Sequence, residues 1–322
     1  MADHVTVVIP TRNRCRLLQR TLATVFAQSD ADLDVVVVDE GSTDDTPKML
    51  ERLPYDRLTV LRHEHAKGVS AARNAGIAAA TGQWVAFVDD DDIWSPAKLG
   101  AQLAAAEETP GAGWVCVGAV RVNEQLELRG REKAPVASTI TDTLLARNVI
   151  PGGASGVLAR TDLVRKVGGF DVALSNLADY DLWIRLGLAA PLGVVDRPLV
   201  GYRVAASGMA HNVRRSEREL DYIERKYRAV RRARGVMLQR ERFLWYFGAL
   251  ALRQGDRIQA MRIHRDIALR CHDRPAYALS LALVSGLWPG IQDVRDRSHG
   301  RRVPASWRTE AETWIAPLRR QP

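Results

Sequence analysis

The first hundred residues alternate between two apolar rhythms. Val5–Ile9 is a β-branched run closed by Pro10, the pattern of a strand buried on both faces. Arg16–Gln28 follows with Leu17, Leu18, Leu22, Val25 and Phe26 at helical spacing. Leu33–Val38 repeats the strand pattern and ends in Asp39-Glu40-Gly41-Ser42; Ser42, Thr43, Asp45 and Pro47 then open a helix that runs to about Leu53. Leu58–Leu61 is a third short strand, Val69–Ala80 an alanine-rich helix broken by Gly82, and Trp84–Val88 a fourth strand. Short apolar strands separated by amphipathic helices predict an α/β domain with a mostly parallel sheet flanked by helices.

Farther on, the pattern predicts a helix over Lys98–Glu107, strands over Gly113–Val122 and Gly153–Ala159, and a helix over Thr161–Val167. A Gly168-Gly169-Phe170-Asp171 turn and a helix over Tyr180–Leu188 come next. From about Arg214 the strand pattern gives way to helices over Ser216–Arg234, Arg240–Gln254, Arg257–Arg270 and Ala276–Leu287. The expected organisation is an α/β domain over 1–210 and a helical region over 211–322. Charge supports the division. Residues 1–202 hold 21 Lys+Arg against 26 Asp+Glu, whereas 203–322 hold 25 against 12, so the net +8 is a property of the C-terminal part.

Composition is that of an ordinary globular protein, 46% hydrophobic and 26% charged. Cys15, Cys116 and Cys271 have no zinc or redox spacing. No signal-peptide pattern precedes the first strand and no apolar stretch is long enough to span a bilayer, so the expected location is cytoplasmic.

Three polar clusters end predicted strands: Pro10-Thr11-Arg12-Asn13, Asp39-Glu40-Gly41-Ser42 and Asp89-Asp90-Asp91-Asp92. Ligands of parallel sheets gather at the carboxyl ends of strands, so the three clusters are expected to form one site. Four adjacent carboxylates repel one another and raise each other's pKa values; a hard divalent cation, Mg²⁺ or Mn²⁺, relieves this while leaving coordination sites for substrate phosphates. The plain alternative is a solvated acidic loop, or an N-cap for a helix after Asp92.

The motifs, in order, are Val7-Val8-Ile9-Pro10-Thr11-Arg12-Asn13-Arg14, Val37-Val38-Asp39-Glu40-Gly41-Ser42-Thr43-Asp44, Gly68–Gly76, Phe87–Trp94, Gly168–Asp171 and Asp179–Arg185. Together they span about residues 4–203, and in this order the chain resembles the family 2 glycosyltransferases of GT-A fold. The resemblance implies transfer of a sugar, with inversion, from a nucleotide-diphosphate sugar, a UDP-sugar being the donor expected. It implies that Pro10, Thr11, Asn13 and Arg14 line the nucleotide pocket, that Asp39 meets the base with Gly41 and Ser42 shaping the turn, and that Arg73 and Asn74 hold the ribose-phosphate side. Asp89-Asp90-Asp91 corresponds to the family's DXD motif, with Asp91 on the metal, Asp89 on the ribose or metal, and Asp90 in support. Asp92 is expected to face the sugar or cap the next helix. Glu40 stands where many relatives have a second aspartate.

An inverting transfer needs one base for the acceptor hydroxyl proton. The resemblance assigns this to Asp179, where the usual Glu-Asp pair reads Ala178-Asp179; the structural alternative is an N-cap for the following helix. Asp181 is expected to pair with Arg185 at i,i+4. Relatives often carry a histidine two residues after Tyr202-Arg203; here Ala205 stands there and His211 lies six residues further on. The acceptor, whether glycan, lipid-linked or small molecule, is not named by the sequence.

Residues 214–242 carry ten arginines. Beside a solvated helix face, this composition suits docking on an anionic inner membrane surface, helped by the apolar stretch Ala276–Trp288. It also suits packing between copies of the chain. No nucleic-acid motif accompanies it. Two other functions stay open at this level: a sugar nucleotidyltransferase, which should show a glycine-rich first loop, and a sugar-binding relative without catalysis.

Overall fold

The computed structural model describes residues 3–204, 212–271 and 303–320. Ala205, His211, the expected helix Ala276–Leu287 and the apolar stretch to Trp288 lie outside the described residues.

The chain opens with β1 (His4–Thr11), α1 (Cys15–Phe26), β2 (Asp32–Asp39), α2 (Thr46–Glu51), β3 (Leu58–Arg62), α3 (Val69–Ala79) and β4 (Trp84–Phe87). These are the elements the apolar pattern predicts, and β3, β2, β1 and β4 pair side by side in parallel. Val5, Val7 and Ile9 of β1 join Val35 and Val37 of β2 and Leu18, Leu22 and Val25 of α1 in one buried layer. Each such side chain removed from water contributes roughly 1.5–3 kcal/mol. The opposite face of β2 places Val36 and Val38 against Ala72 of α3. Helix α3 approaches β1 so closely that a Cβ on Gly76 would lie 2.3 Å from Val8 Cγ1.

The second half of the sheet is built differently. It comprises β5 (Ile93–Trp94), α4 (Lys98–Glu108), β6 (Trp114–Val122), β7 (Leu128–Glu132), α5 (Ile140–Ala146), β8 (Val157–Arg160), α6 (Thr161–Lys166), α7 (Ala178–Ala189) and β9 (Leu192–Arg203). The sheet order is β3-β2-β1-β4-β8-β6-β9-β5, with β7 on β6. Strand β8 runs antiparallel between β4 and β6, and β5 and β7 are also antiparallel to their neighbours. The sheet is therefore mixed: parallel in its first half as the sequence pattern implies, antiparallel at most later pairings. Strand β9 was not legible, because Asp196, Arg197 and Pro198 interrupt its apolar run; the register against β6 shifts at that point.

Among the described residues, the helical region contains α8 (Val213–Lys226), α9 (Arg228–Arg234), α10 (Arg240–Arg253) and α11 (Arg257–Cys271), and the chain closes with α12 (Ala305–Leu318). The single helix expected over Ser216–Arg234 is broken at Tyr227. Buried Arg231 folds back there and donates to the carbonyls of Ile223, Glu224 and Leu145. The chain divides into two compact units: residues 1–141, 149–204 and 302–322 form one, and 142–148 with 205–301 form the other. The division is thus not a single cut near 210. Helix α12 belongs with the sheet, where Trp307, Ala311, Trp314 and Ile315 pack on Ile93, Val120, Val122 and Leu126. In the other unit, Leu220, Ile223, Phe247, Ala251, Ala260 and Ile263 are buried. No helix among the described residues is long and apolar enough to cross a membrane.

Candidate active site

Because β1 lies between β2 and β4, the loops that leave their carboxyl ends are neighbours. The three polar clusters of the sequence meet there.

The four aspartates after β4 have four different environments. Asp92 is fully buried: its Oδ2 accepts from Ser155 Oγ at 2.5 Å and its Oδ1 from the Arg203 amide at 2.8 Å, while its own carbonyl accepts from Thr21 Oγ1 at 2.7 Å. Loss of hydration, with Asp91 and Asp89 close by, pushes its carboxyl well above the usual range. It does not cap the next helix, whose N-cap is Ala97; it ties the loop to β9 and to the 3₁₀ turn Gly153–Gly156. Asp90 also points inward, accepting from Thr11 Oγ1 at 2.7 Å and from Arg14 Nη1 at 3.2 Å. Burial pushes it up to about 7 against the pull of Arg14. Asp89 and Asp91 keep part of their side chains open to solvent, 29% and 17%. Burial and the neighbouring Asp89 raise Asp91. The alternation leaves the first and third carboxylates of the run facing outward.

Each of those two is held by an arginine. Arg73 Nη2 lies 2.5 Å from Asp89 Oδ1, and Arg14 Nη1 lies 2.6 Å from Asp91 Oδ2. Arg73 is itself buried, with its guanidinium 5.0 Å from the Phe170 ring centroid, and Phe170 packs edge-on against Phe87 of β4. Asn74, expected at the ribose-phosphate side, pairs with the Phe170 backbone in both directions.

The loops after β1 and β2 are stitched to each other. Asn13, in the left-handed region at φ 53°, donates its amide N–H to Ser42 Oγ at 2.9 Å and accepts from the Thr43 amide at 2.7 Å. The Ser42 amide donates to Asp39 Oδ1 at 2.9 Å, and Gly41 makes the turn at φ 70°, where a Cβ would lie 3.0 Å from Glu64 O. Asn13 and Ser42 therefore build the loop. Asp39 Oδ2 is buried with no hydrogen-bond partner, and its nearest cation is Arg62 Nη1 at 3.5 Å. Glu40, in place of an aspartate, is long enough to accept from the Gly68 amide at 2.6 Å while its other oxygen meets His63 Nδ1.

Asp179 sits in the first turn of α7, whose N-cap is Leu177, so it is not the cap. Its Oδ1 accepts from the Tyr180 amide at 2.7 Å, and a Cβ on Gly153 would lie 3.5 Å from its Oδ2 and 3.9 Å from the Tyr202 ring. Loss of hydration raises its pKa, Arg73 opposes this, and Asp89 adds to it. Asp179 thus shares the electrostatic surroundings of Asp89 and Arg73. Asp181 is fully buried and pairs with Arg185 at 2.7 Å, as its spacing predicts.

Sequence reasoning missed Ser155, whose hydroxyl both accepts from the Asp89 amide and donates to Asp92. It also missed the Gly152-Gly153 pair at φ 64° and 55° beside Asp179, although Pro151-Gly152-Gly153 is a legible turn signal.

Asp89 and Asp91 suit a divalent cation on the chemistry of the donor set. Two hard carboxylates are what Mg²⁺ or Mn²⁺ takes from a protein when substrate phosphates complete its coordination. Among the described residues no group of three or more His, Cys, Asp or Glu could hold a metal without such help.

The profile of "Glycosyl transferase family 2" matches residues 6–168. An uncharacterized glycosyltransferase of Haemophilus influenzae is 26% identical over 250 residues, 75% of this chain and 83% of that protein. A UDP-Glc:alpha-D-GlcNAc-diphosphoundecaprenol beta-1,3-glucosyltransferase of Escherichia coli is 26% identical over 210 residues, 65% of this chain and 80% of that one. Among solved structures, a mannosyltransferase of Pyrobaculum calidifontis in complex with GDP-Man and Mn²⁺ superposes with a TM-score of 0.53 at 20% identity, over 99% of this chain and 85% of its own. Staphylococcus aureus TarS 1–349 in complex with UDP gives 0.54 at 20% identity, over 84% and 92%.

Proposed function

The chain belongs to glycosyl transferase family 2 and has the GT-A fold, and from this premise we propose that it transfers a sugar, with inversion, from a nucleotide-diphosphate sugar to an acceptor hydroxyl. The observation that carries the reading is the alternation at β4. It leaves Asp89 and Asp91 partly open beside Asp179, at the carboxyl ends of three parallel strands.

Asp39 Oδ2, which has no hydrogen-bond partner, is a buried acceptor suited to a ring N–H of the nucleotide base, with Gly41 admitting the chain close by. Asp91, with Asp89, would hold Mg²⁺ or Mn²⁺. When bound, such an ion would neutralise the departing diphosphate. Asp179 takes the proton as the acceptor oxygen attacks the anomeric carbon; the carbon–oxygen bond to the diphosphate breaks, and the nucleoside diphosphate leaves with the bonding electrons. Pro10 and Thr11 support this pocket from β1, with Thr11 acting through Asp90.

The acceptor is a lipid-linked or free glycan in this reading, in keeping with the diphosphoundecaprenol-linked acceptor in the name of the E. coli relative. Peripheral docking on an anionic membrane surface goes with it. Arg215, Arg234 and Arg240 have acidic partners and Arg231 is buried. Arg225, Lys226, Arg228 and Arg232 border one open recess of about 510 Å³ lined with Ala229 and Ala233.

The test is incubation with UDP-, GDP- and dTDP-sugars, Mn²⁺ and candidate glycan acceptors. Acceptor-dependent release of a nucleoside diphosphate supports the reading; release of pyrophosphate from a nucleoside triphosphate and a sugar phosphate sinks it.

A further inference from the structure

The two outward carboxylates of the aspartate run are both neutralised by arginines, but the two arginines are not alike. Arg73 is 6% exposed, lies over the Phe170 ring, and projects from α3, whose neighbouring Asn74 is fastened to Phe170. It is fixed. Arg14 is 26% exposed, stands at the start of α1, and reaches Asp91 at 2.6 Å and Asp90 at 3.2 Å through the same nitrogen, Nη1. Asp90 does not depend on it alone, since Thr11 Oγ1 donates to its other oxygen at 2.7 Å. The other cation near Asp91, Arg203, turns its Nη2 to Glu124 O at 3.1 Å. Arg14 is therefore the cation in contact with the Asp91 oxygen that a divalent ion would need.

Resting on the metal reading above, we propose that Arg14 is a built-in competitor for the divalent cation, holding Asp91 while the donor is absent and passing to the donor's diphosphate when nucleotide and metal bind together. A metal arriving alone must displace a guanidinium from its shorter charge-assisted contact, at 2.6 Å, and leave it only the longer one to Asp90, at 3.2 Å. A metal arriving with a diphosphate leaves that guanidinium a new anionic partner of suitable geometry. Metal and nucleotide then bind with positive coupling, and by linkage each raises the other's affinity by the same factor. The role differs from simple lining of the nucleotide pocket: a lining arginine aids the nucleotide and leaves the binding of metal alone untouched.

The experiment measures free Mn²⁺ by electron paramagnetic resonance over the full chain, with Mn²⁺ alone and with saturating UDP or GDP. For Mn²⁺ alone, Arg14→Gln is expected to bind roughly tenfold more tightly than wild type, a factor within the usual range of coupling between ligands. The gain in Mn²⁺ affinity on adding nucleotide shrinks by the same factor, and Arg14→Lys falls between the two proteins. Unchanged or weaker binding of Mn²⁺ alone in Arg14→Gln overturns the proposal. If that variant does not fold, Arg14→Gln combined with Asp90→Asn, which removes the buried charge that has lost its guanidinium, carries the same test. Asp91→Asn in the wild-type background separates the two readings. If it abolishes nucleotide-supported Mn²⁺ binding while Arg14→Gln changes nothing, the competitor role alone falls. If Asp91→Asn still binds Mn²⁺ normally, the metal reading falls with it.

Discussion

Asn74 and Phe170, ninety-six positions apart, exchange two hydrogen bonds: Asn74 Nδ2 donates to the Phe170 carbonyl and the Phe170 amide donates to Asn74 Oδ1, both at 2.8 Å. This pair fastens α3 to the Gly168–Asp171 turn. It holds the Phe170 ring beneath Arg73, and Arg73 in turn holds Asp89. The turn is shaped for it, since a Cβ on Gly169 would lie 2.5 Å from Asn74 Oδ1.

Asn74→Ala leaves a backbone donor and acceptor unpaired and is expected to cost about 2 kcal/mol in denaturant unfolding. Asn74→Asp keeps the acceptor and should fall between. A wild-type unfolding midpoint in Asn74→Ala would remove this structural role.

Asp179→Asn is expected to bind nucleoside diphosphate as wild type does and to lose at least about 100-fold in turnover, the scale of a lost general base. Its raised pKa sets the acidic side of the pH profile. The carboxylate works only when unprotonated, so activity falls as pH drops through a value above the ordinary carboxylate range. A profile that stays flat down to pH about 4, an ordinary carboxylate value, would place the base elsewhere.

Lys98 is fully buried, its Nζ 2.8 Å from Gln102 Oε1 and 3.7 Å from the Trp94 ring centroid. Burial lowers its pKa well below 10.5. Between the lowered native value and the unfolded one, the unfolded chain binds more protons than the native protein. Stability attributable to this group therefore rises with pH across that window and is smallest below it. Lys98→Met should abolish that rise, at most about 1.4 kcal/mol per pH unit, in urea midpoints measured from neutral pH upward. The same slope in wild type and variant would assign it to another group.

Helix α12 covers Ile93, Val120, Val122 and Leu126 with two tryptophans. Trp314→Ala is expected to destabilise by about 3–5 kcal/mol, as truncation of a buried aromatic does. Gly118→Ala should also destabilise, because its Cβ would meet Trp307 Cη2 at 2.5 Å. Both are read by thermal unfolding, and an unperturbed Gly118→Ala would show that α12 does not pack there.

Charge reversal at Arg225, Arg228 and Arg232 together is expected to weaken binding to phosphatidylglycerol vesicles at least tenfold, given about 1 kcal/mol per basic residue near an anionic surface. Sedimentation with phosphatidylcholine vesicles should show no difference. Equal binding of variant and wild type to the anionic vesicles removes these arginines as the docking surface.

The chain's local pattern determined the first four strands, the helices between them and the meeting of three polar loops, because alternating apolar runs and turn residues act over a few positions. It also carried Trp307, Ala311, Trp314 and Ile315 at helical spacing. What the sequence left undecided was the difference among Asp89, Asp90, Asp91 and Asp92, four identical side chains in a row. Their roles were decided by partners far along the chain: Thr11 for Asp90, Ser155 and the Arg203 amide for Asp92, Arg73 and Arg14 for the two that face outward. Burial and hydrogen bonding are set by what the folded chain brings within about 3 Å, and separations of 63 and 111 positions leave no trace in local periodicity.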